Sequence, residues 1–142
     1  MSNHTESDLL KQKEVERTNI AMEYFKLIRA GKYKEGLRFF ARDCKTHNPF
    51  ISGSIESLTD AMIAASKDIG AQNTEPEFTV KHVLADKDLV AVHTELLNSE
   101  SKPSEGGLRQ VHLFRFEGEK IAEYWDITQQ VTPNMPNASG AF

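Results

Sequence analysis

The feature that most constrains this chain is a change of apolar period near Glu77. Before it, apolar residues recur at spacings of three, four and seven, which puts them on one face of a helix. After it they alternate with polar residues, which puts them on one face of a strand. Helices first and a run of antiparallel strands afterwards argue for an α+β fold, with the helices gathered on one face of the sheet. At 142 residues the chain suits a single domain spanning 1–142, with residues 1–7 expected to be flexible and 132–142 an irregular tail rich in Pro, Asn, Ser and Gly.

In detail, the spacing predicts a first helix from about Asp8 to Ala30, with Val15, Met22, Phe25 and Ile28 on its apolar side and Gly31 ending it. Tyr33, Leu37 and Phe40 predict a short second helix within Lys32 to Arg42. Asn-Pro cannot continue a helix, so Cys44 to Phe50 reads as a short strand entering a loop at Thr46-His47-Asn48-Pro49. A third helix follows, with Ser57 and Asp60 resembling a capping box and Leu58, Met62, Ala65 and Ile69 forming its stripe up to Gly70. Beyond the switch, Phe78, Val80, His82 and Leu84 alternate with Thr79, Lys81 and Val83. Asp86-Lys87-Asp88 is a turn, Leu89 to Asn98 a second strand, and Ser99 to Gly107 a polar connection. Leu108 to Phe116 then pairs with Ile121 to Val131 through a hairpin at Glu117-Gly118-Glu119-Lys120.

Charge and composition exclude several classes. The net charge is -4 and the basic residues are interspersed with acids, so the basic stripe of a nucleic-acid binder is missing. No stretch approaches the roughly 18 apolar residues that span a bilayer, and the polar start Met1-Ser2-Asn3-His4-Thr5-Glu6 has no signal-peptide core, so a cytoplasmic protein without a membrane partner is expected. Cys44 is the one cysteine and is expected to be a buried, inert thiol.

Chemistry is sought in the strands, because His47, His82, His93 and His112 all fall in them or at a strand end. If Phe114 and Phe116 face inward, Gln110 and His112 share their face; Ala122, Tyr124, Asp126 and Thr128 share one face of the last strand, and Glu123, Trp125 and Ile127 the other. His112 lies opposite Asp126 only if the hairpin contains an odd loop, such as residues 117–121, or three residues with a bulge at Gly118. A two-residue turn would place Trp125 there. A symmetric connection on the other side brings His93 near His112. In the cluster of His93, His112 and Asp126, a partly desolvated carboxylate has a raised pKa and serves as a general base or acid, and a histidine orients it or stabilises an oxyanion. The alternative is a buried hydrogen bond inside the sheet with no chemistry attached. His47, His93, His112 and Asp126 are of metal-ligand type, but no pair has the i, i+4 or H-x-H spacing of a metal site, so neither a metal nor another cofactor is expected. Tyr124 and Trp125 either stack on an aromatic ligand or pack in the core, and Asn48 either donates to a bound carbonyl or shapes the turn before Pro49.

The run Val111-His112-Leu113-Phe114-Arg115-Phe116-Glu117-Gly118-Glu119-Lys120-Ile121-Ala122-Glu123-Tyr124-Trp125-Asp126 resembles the closing hairpin of the SnoaL-like polyketide cyclases, of the nuclear transport factor two-like superfamily. Thr46-His47-Asn48-Pro49 and the end Asn137 to Phe142 resemble that group too. The resemblance implies a cone-shaped, curved antiparallel sheet wrapped around a long first helix, with a ligand cavity between them and a homodimer through the sheet's outer face. It also implies an aldol condensation run without metal or Schiff base. In that scheme Asp126 is the acid/base and His112, fourteen residues away, its partner, with Gln110 and His47 or Asn48 beside the substrate. Tyr124 departs from the pattern, standing where a histidine is common. The resulting expectation is general acid/base catalysis on a small or medium apolar carbonyl compound, by aldol cyclisation or a related enolisation. The alternative is a non-catalytic binding protein for a small apolar metabolite.

Overall fold

The computed structural model of the chain describes residues 5–71, 77–98 and 102–142, with the backbone alone at 68–71 and 77. Its elements are α1 (Glu6–Arg29), β1 (Phe40–His47), α2 (Ile55–Ala71), β2 (Glu77–Asp86), β3 (Leu89–Leu97), β4 (Gly107–Glu117) and β5 (Lys120–Val131). Single 3-10 turns lie at Lys34–Phe39, Pro103–Glu105 and Ser139–Ala141. The fold is α+β, as the period switch requires. The five strands form one open, curved sheet in the order β1-β5-β4-β3-β2.

Strands β2 to β5 make an antiparallel meander, because each is joined to the next by a turn or short connection. β1 differs from the antiparallel expectation by adding to β5 in parallel. No hairpin joins β1 to β5, so no local turn dictates their relative direction.

The core lies between the helices and the sheet's inner face. Val90, Val92, Phe114, Phe116 and Ile121 meet Ala21, Tyr24 and Phe25 of α1 and Ile55 and Leu58 of α2. Its aromatic rings pack edge to face, with Phe25 on Phe114 at 5.7 Å between centroids and Tyr24 on Phe40 at 5.0 Å. Such contacts add roughly 0.5–1.5 kcal/mol each to the burial of apolar area. Cys44 is buried among these residues, and burial pushes its thiol up to about 11, as expected of an inert cysteine.

Several local expectations change. α1 starts at a capping box between Thr5 and Asp8, and its apolar side adds Ala21 and Tyr24 to the expected Met22, Phe25 and Ile28. Val15 is 59% exposed, because the helix first reaches the sheet where Arg17 donates to the Lys87 carbonyl in the β2–β3 turn. The second helix shrinks to a 3-10 turn, since the chain must already be extended at Phe40 to pair with Ile121. The cap of α2 is Ser54, three residues before Ser57: its Oγ accepts from the Ser57 N–H. On α2 Leu58 is buried and Ala65 exposed, while the side chain of Ile69 lies outside the described residues, as do Ser99, Glu100 and Ser101 of the polar connection. In β2 the register shifts between Val80 and His82, so Lys81 is an extra residue. Phe78 and Val80 face the core, and after the bulge Val83 and Ala85 do, which turns His82 and Leu84 outward.

Gly106 enters β4 with φ at +81, and a Cβ there would stand 2.2 Å from the Val131 carbonyl oxygen. Backbone cannot yield cheaply at both places, so Gly106→Ala is expected to cost about 1–3 kcal/mol or more. Urea unfolding measures this, and an unchanged midpoint would show that the entry into β4 is loose.

Candidate active site

The hairpin of β4 and β5 sets the site. Glu117 pairs with Lys120, so the turn is the two residues Gly118 and Glu119, with Gly118 at φ +61. A two-residue turn by itself would put Trp125 opposite His112. The register shifts by one between Arg115↔Glu123 and Phe116↔Ile121, which makes Ala122 an extra residue. That bulge, in the strand rather than in the loop as expected, brings His112 opposite Asp126 and keeps Gln110, His112, Tyr124, Asp126 and Thr128 on the inner face.

Asp126 meets Asn48, which follows β1. Asn48 Nδ2 donates to Asp126 Oδ2 at 2.7 Å, while its own Oδ1 accepts from the Phe50 N–H at 2.8 Å. The backbone donor therefore fixes which way the carboxamide faces: Asn48 shapes the turn with its oxygen, and the N–H it offers goes to Asp126. Asp126 Oδ1 is buried and has no hydrogen-bond partner among the described residues. Burial raises the Asp126 carboxyl above the usual carboxylate range, opposed by Asn48 and by its own backbone amide.

His112 does not bond to the carboxylate it faces. Its Nδ1 lies 2.6 Å from the Tyr124 hydroxyl and its Nε2 lies 2.9 Å from Thr94 Oγ1. Thr94 donates to Gln110 Oε1 at 3.2 Å, and Gln110 Nε2 donates to Thr128 Oγ1 at 3.3 Å. Burial pushes the His112 imidazole down to about 4, so it is neutral at physiological pH. Burial, then Tyr24 and Asp126, raise the Tyr124 hydroxyl well above its ordinary value.

The other candidates lie elsewhere. His47 is on the outer face, stacked on Trp125 at 4.7 Å between centroids and 2.7 Å from Glu123, which Arg115 also contacts at 3.0 Å. Arg115 and His47 hold the Glu123 carboxyl below its ordinary value. His93 is also outward, its Nδ1 3.0 Å from that of His82 across the strands. Strand alternation explains both: His93 is one residue from the inward Thr94, and His47 one from the inward Asn48. An open groove on this outer face runs over Lys81, His93, Val111 and Ile127 to Phe142, and Asp126 does not line it. No three His, Cys, Asp or Glu side chains among the described residues are placed to share a metal ion, and no described helix is long and apolar enough to cross a membrane.

Two side chains escaped the sequence reading. Thr94, fully buried, links His112 to Gln110. Tyr24 of α1 is buried close enough to Asp126 for the carboxylate charge to add to burial in raising its hydroxyl. Alternation from Val90 and Val92 signalled an inward Thr94, and the spacing from Ala21 to Ile28 signalled an inward Tyr24. Neither pattern says which polar groups meet across the core.

The comparisons agree with this architecture. A family model described as the SnoaL-like domain matches residues 21–124, stopping two residues before Asp126. AclR, a proposed hydroxylase from Streptomyces galilaeus, superposes with TM-score 0.66 at 16% identity, covering 82% of this chain and 90% of that one. A SnoaL-like protein of unknown function from Burkholderia thailandensis gives 0.64 at 15% identity, with 82% and 96% covered. A proposed ketosteroid isomerase from Kribbella flavida gives 0.61 at 16% identity, with 87% and 84% covered. At these identities the likeness concerns the fold. No curated protein matches the chain.

Proposed function

The chain belongs to the SnoaL-like domain family, and from that premise we propose that it is a general acid/base enzyme acting on a small or medium apolar carbonyl compound. The observation that carries the reading is the buried Oδ1 of Asp126, which has no partner among the described residues. An unsatisfied carboxylate oxygen is costly inside a protein, and a ligand that approaches it relieves that cost. Asp126 Oδ1 takes a proton from the carbon next to the carbonyl. The C–H bond breaks, its electron pair moves to the carbonyl oxygen as an enolate, and the proton is later returned from the carboxylic acid. Asn48 keeps Oδ2 in place, so Oδ1 is the atom that reacts. Tyr24, near enough to Asp126 to feel its charge, is the hydroxyl suited to meet the enolate oxygen. His112, neutral and bonded at both nitrogens, orients its neighbours and takes no part in the proton transfer. The enolate then attacks a second carbonyl in an aldol cyclisation, or is reprotonated in an isomerisation. The fold accommodates a proposed ketosteroid isomerase, which is in keeping with enolate chemistry.

Deuterium uptake next to the carbonyl, followed by NMR over a panel of ketones and 1,3-diketones, tests the reading. The wild type should exchange at least one member of the panel and Asp126→Asn should not. Equal exchange by both would sink it.

The same proposal includes a homodimer through the outer face. There Leu84, Ala91, Leu113, Trp125 and His47 pair in one row across all five strands. Leu84 is 70% exposed and Ile127, in the next row, 56%, an apolar surface a second copy would cover. Sedimentation velocity should show a dimer that Ile127→Glu dissociates; a monomeric wild type would overturn this part.

A further inference from the structure

Resting on the proton-transfer reading above, we propose that Thr94 is a positioning residue for the Asp126 base: it locks His112 in the Nε2–H tautomer and thereby ties the Tyr124 hydroxyl proton to His112 and away from Asp126.

The hydrogen bonds form a chain whose direction is set by counting protons. It runs from Tyr124 through His112, Thr94 and Gln110 to Thr128, crossing β5, β4 and β3 and returning to β5. Tyr124 and Thr128 are the face-mates of Asp126 two residues to either side, so the chain borders the carboxylate along its β4 side. Gln110 Oε1 can only accept, and it takes the single proton of the Thr94 hydroxyl. Thr94 Oγ1 is then an acceptor toward His112, so the one N–H of the neutral imidazole is on Nε2. Nδ1 is left as a lone pair, which accepts from Tyr124. The distances fit: 2.6 Å is short for an N–H donor and ordinary for an O–H donor, and 2.9 Å is typical of N–H to oxygen.

The reversed chain would have a different consequence. With the imidazole proton on Nδ1, His112 donates to Tyr124, and the phenol proton is released toward Asp126 on the same face. A hydrogen bond from Tyr124 favours the carboxylate form and weakens it as a base. Tyr24, Tyr124, Asn48 and His112 are polar side chains near Asp126, and among the described residues Asn48 is the side chain that donates to it. Thr94 is 0% exposed, so water does not stand in for its hydroxyl.

Nitrogen-15 NMR of the His112 imidazole in the full chain tests this without any substrate. The wild type should show the neutral Nε2–H form. Thr94→Val should convert His112 to the Nδ1–H form and move the acid limb of the deuterium-exchange profile to lower pH, while Thr94→Ser should keep both as in the wild type. Gln110→Leu, at a half-buried position, frees the Thr94 proton for His112 Nε2 and should produce the same conversion should the valine variant not fold. An Nδ1–H imidazole in the wild type, or an unchanged tautomer in the variants, overturns the positioning role. Exchange missing from every chain, with the tautomers as expected, would instead fault the base assigned to Asp126.

Discussion

Asp126→Asn should lower the rate of proton exchange by about 10²–10⁴-fold, the usual worth of a positioned general base, while making the protein more stable near neutral pH. Both effects have one origin. The carboxyl is half-buried, its Oδ1 has no partner among the described residues, and burial raises its pKa in the folded chain. The folded state therefore holds the Asp126 proton more tightly than the unfolded state does. Above the ordinary carboxylate range the charged form opposes folding; below that range the penalty vanishes. A neutral Asn in the same place keeps the shape and removes the charge, so the gain in stability should be present at neutral pH and fade as pH falls into the carboxylate range. Denaturation midpoints of the two proteins across pH measure the second effect. A variant less stable than the wild type at pH 7 would mean that Asp126 holds the fold together, which contradicts its assignment as a strained, reactive group.

The wild type should also lose about 3 kcal/mol of stability between pH 6.5 and pH 4 on account of His112 alone. Burial takes this imidazole from its ordinary 6.5 down to about 4 in the folded chain. Within that window the unfolded state binds a proton and the folded state does not, so acid favours unfolding. Above 6.5 neither state is protonated there, and below 4 both are, so the loss levels off. Other groups titrate in the same range, and subtraction isolates the histidine: His112→Gln should show a shallower fall in stability over this interval. Parallel curves for the two proteins would mean that the imidazole accepts its proton without leaving the core.

Much of the chain could be read in one dimension. The period switch placed two helices and four strands before any contact was known, because side-chain direction repeats every 3.6 residues in a helix and every two in a strand. The inward face of β5, with Tyr124, Asp126 and Thr128, follows from that rule alone, and so does the inward Gln110 and His112 pair on β4. The exceptions occur where a strand carries an extra residue. Lys81 turned His82 from the core to the surface, and Ala122 let a two-residue turn coexist with His112 opposite Asp126. A bulge leaves no clear mark in the local pattern, since what it satisfies is the neighbouring strand's register.

What the sequence determined by itself is the class of fold, the faces of the regular strands and the resemblance of one hairpin to a known family. Each depends only on local spacing or residue identity. Tertiary structure decided the partners. His112 pairs in register with Asp126 but bonds to Tyr124 and Thr94, while Asn48, 78 positions before Asp126 in the chain, becomes the carboxylate's donor. Which polar groups satisfy one another is settled by where distant strands and the first helix close on a common interior, and Oδ1 of Asp126, the oxygen proposed as the base, is left without a partner among the described residues.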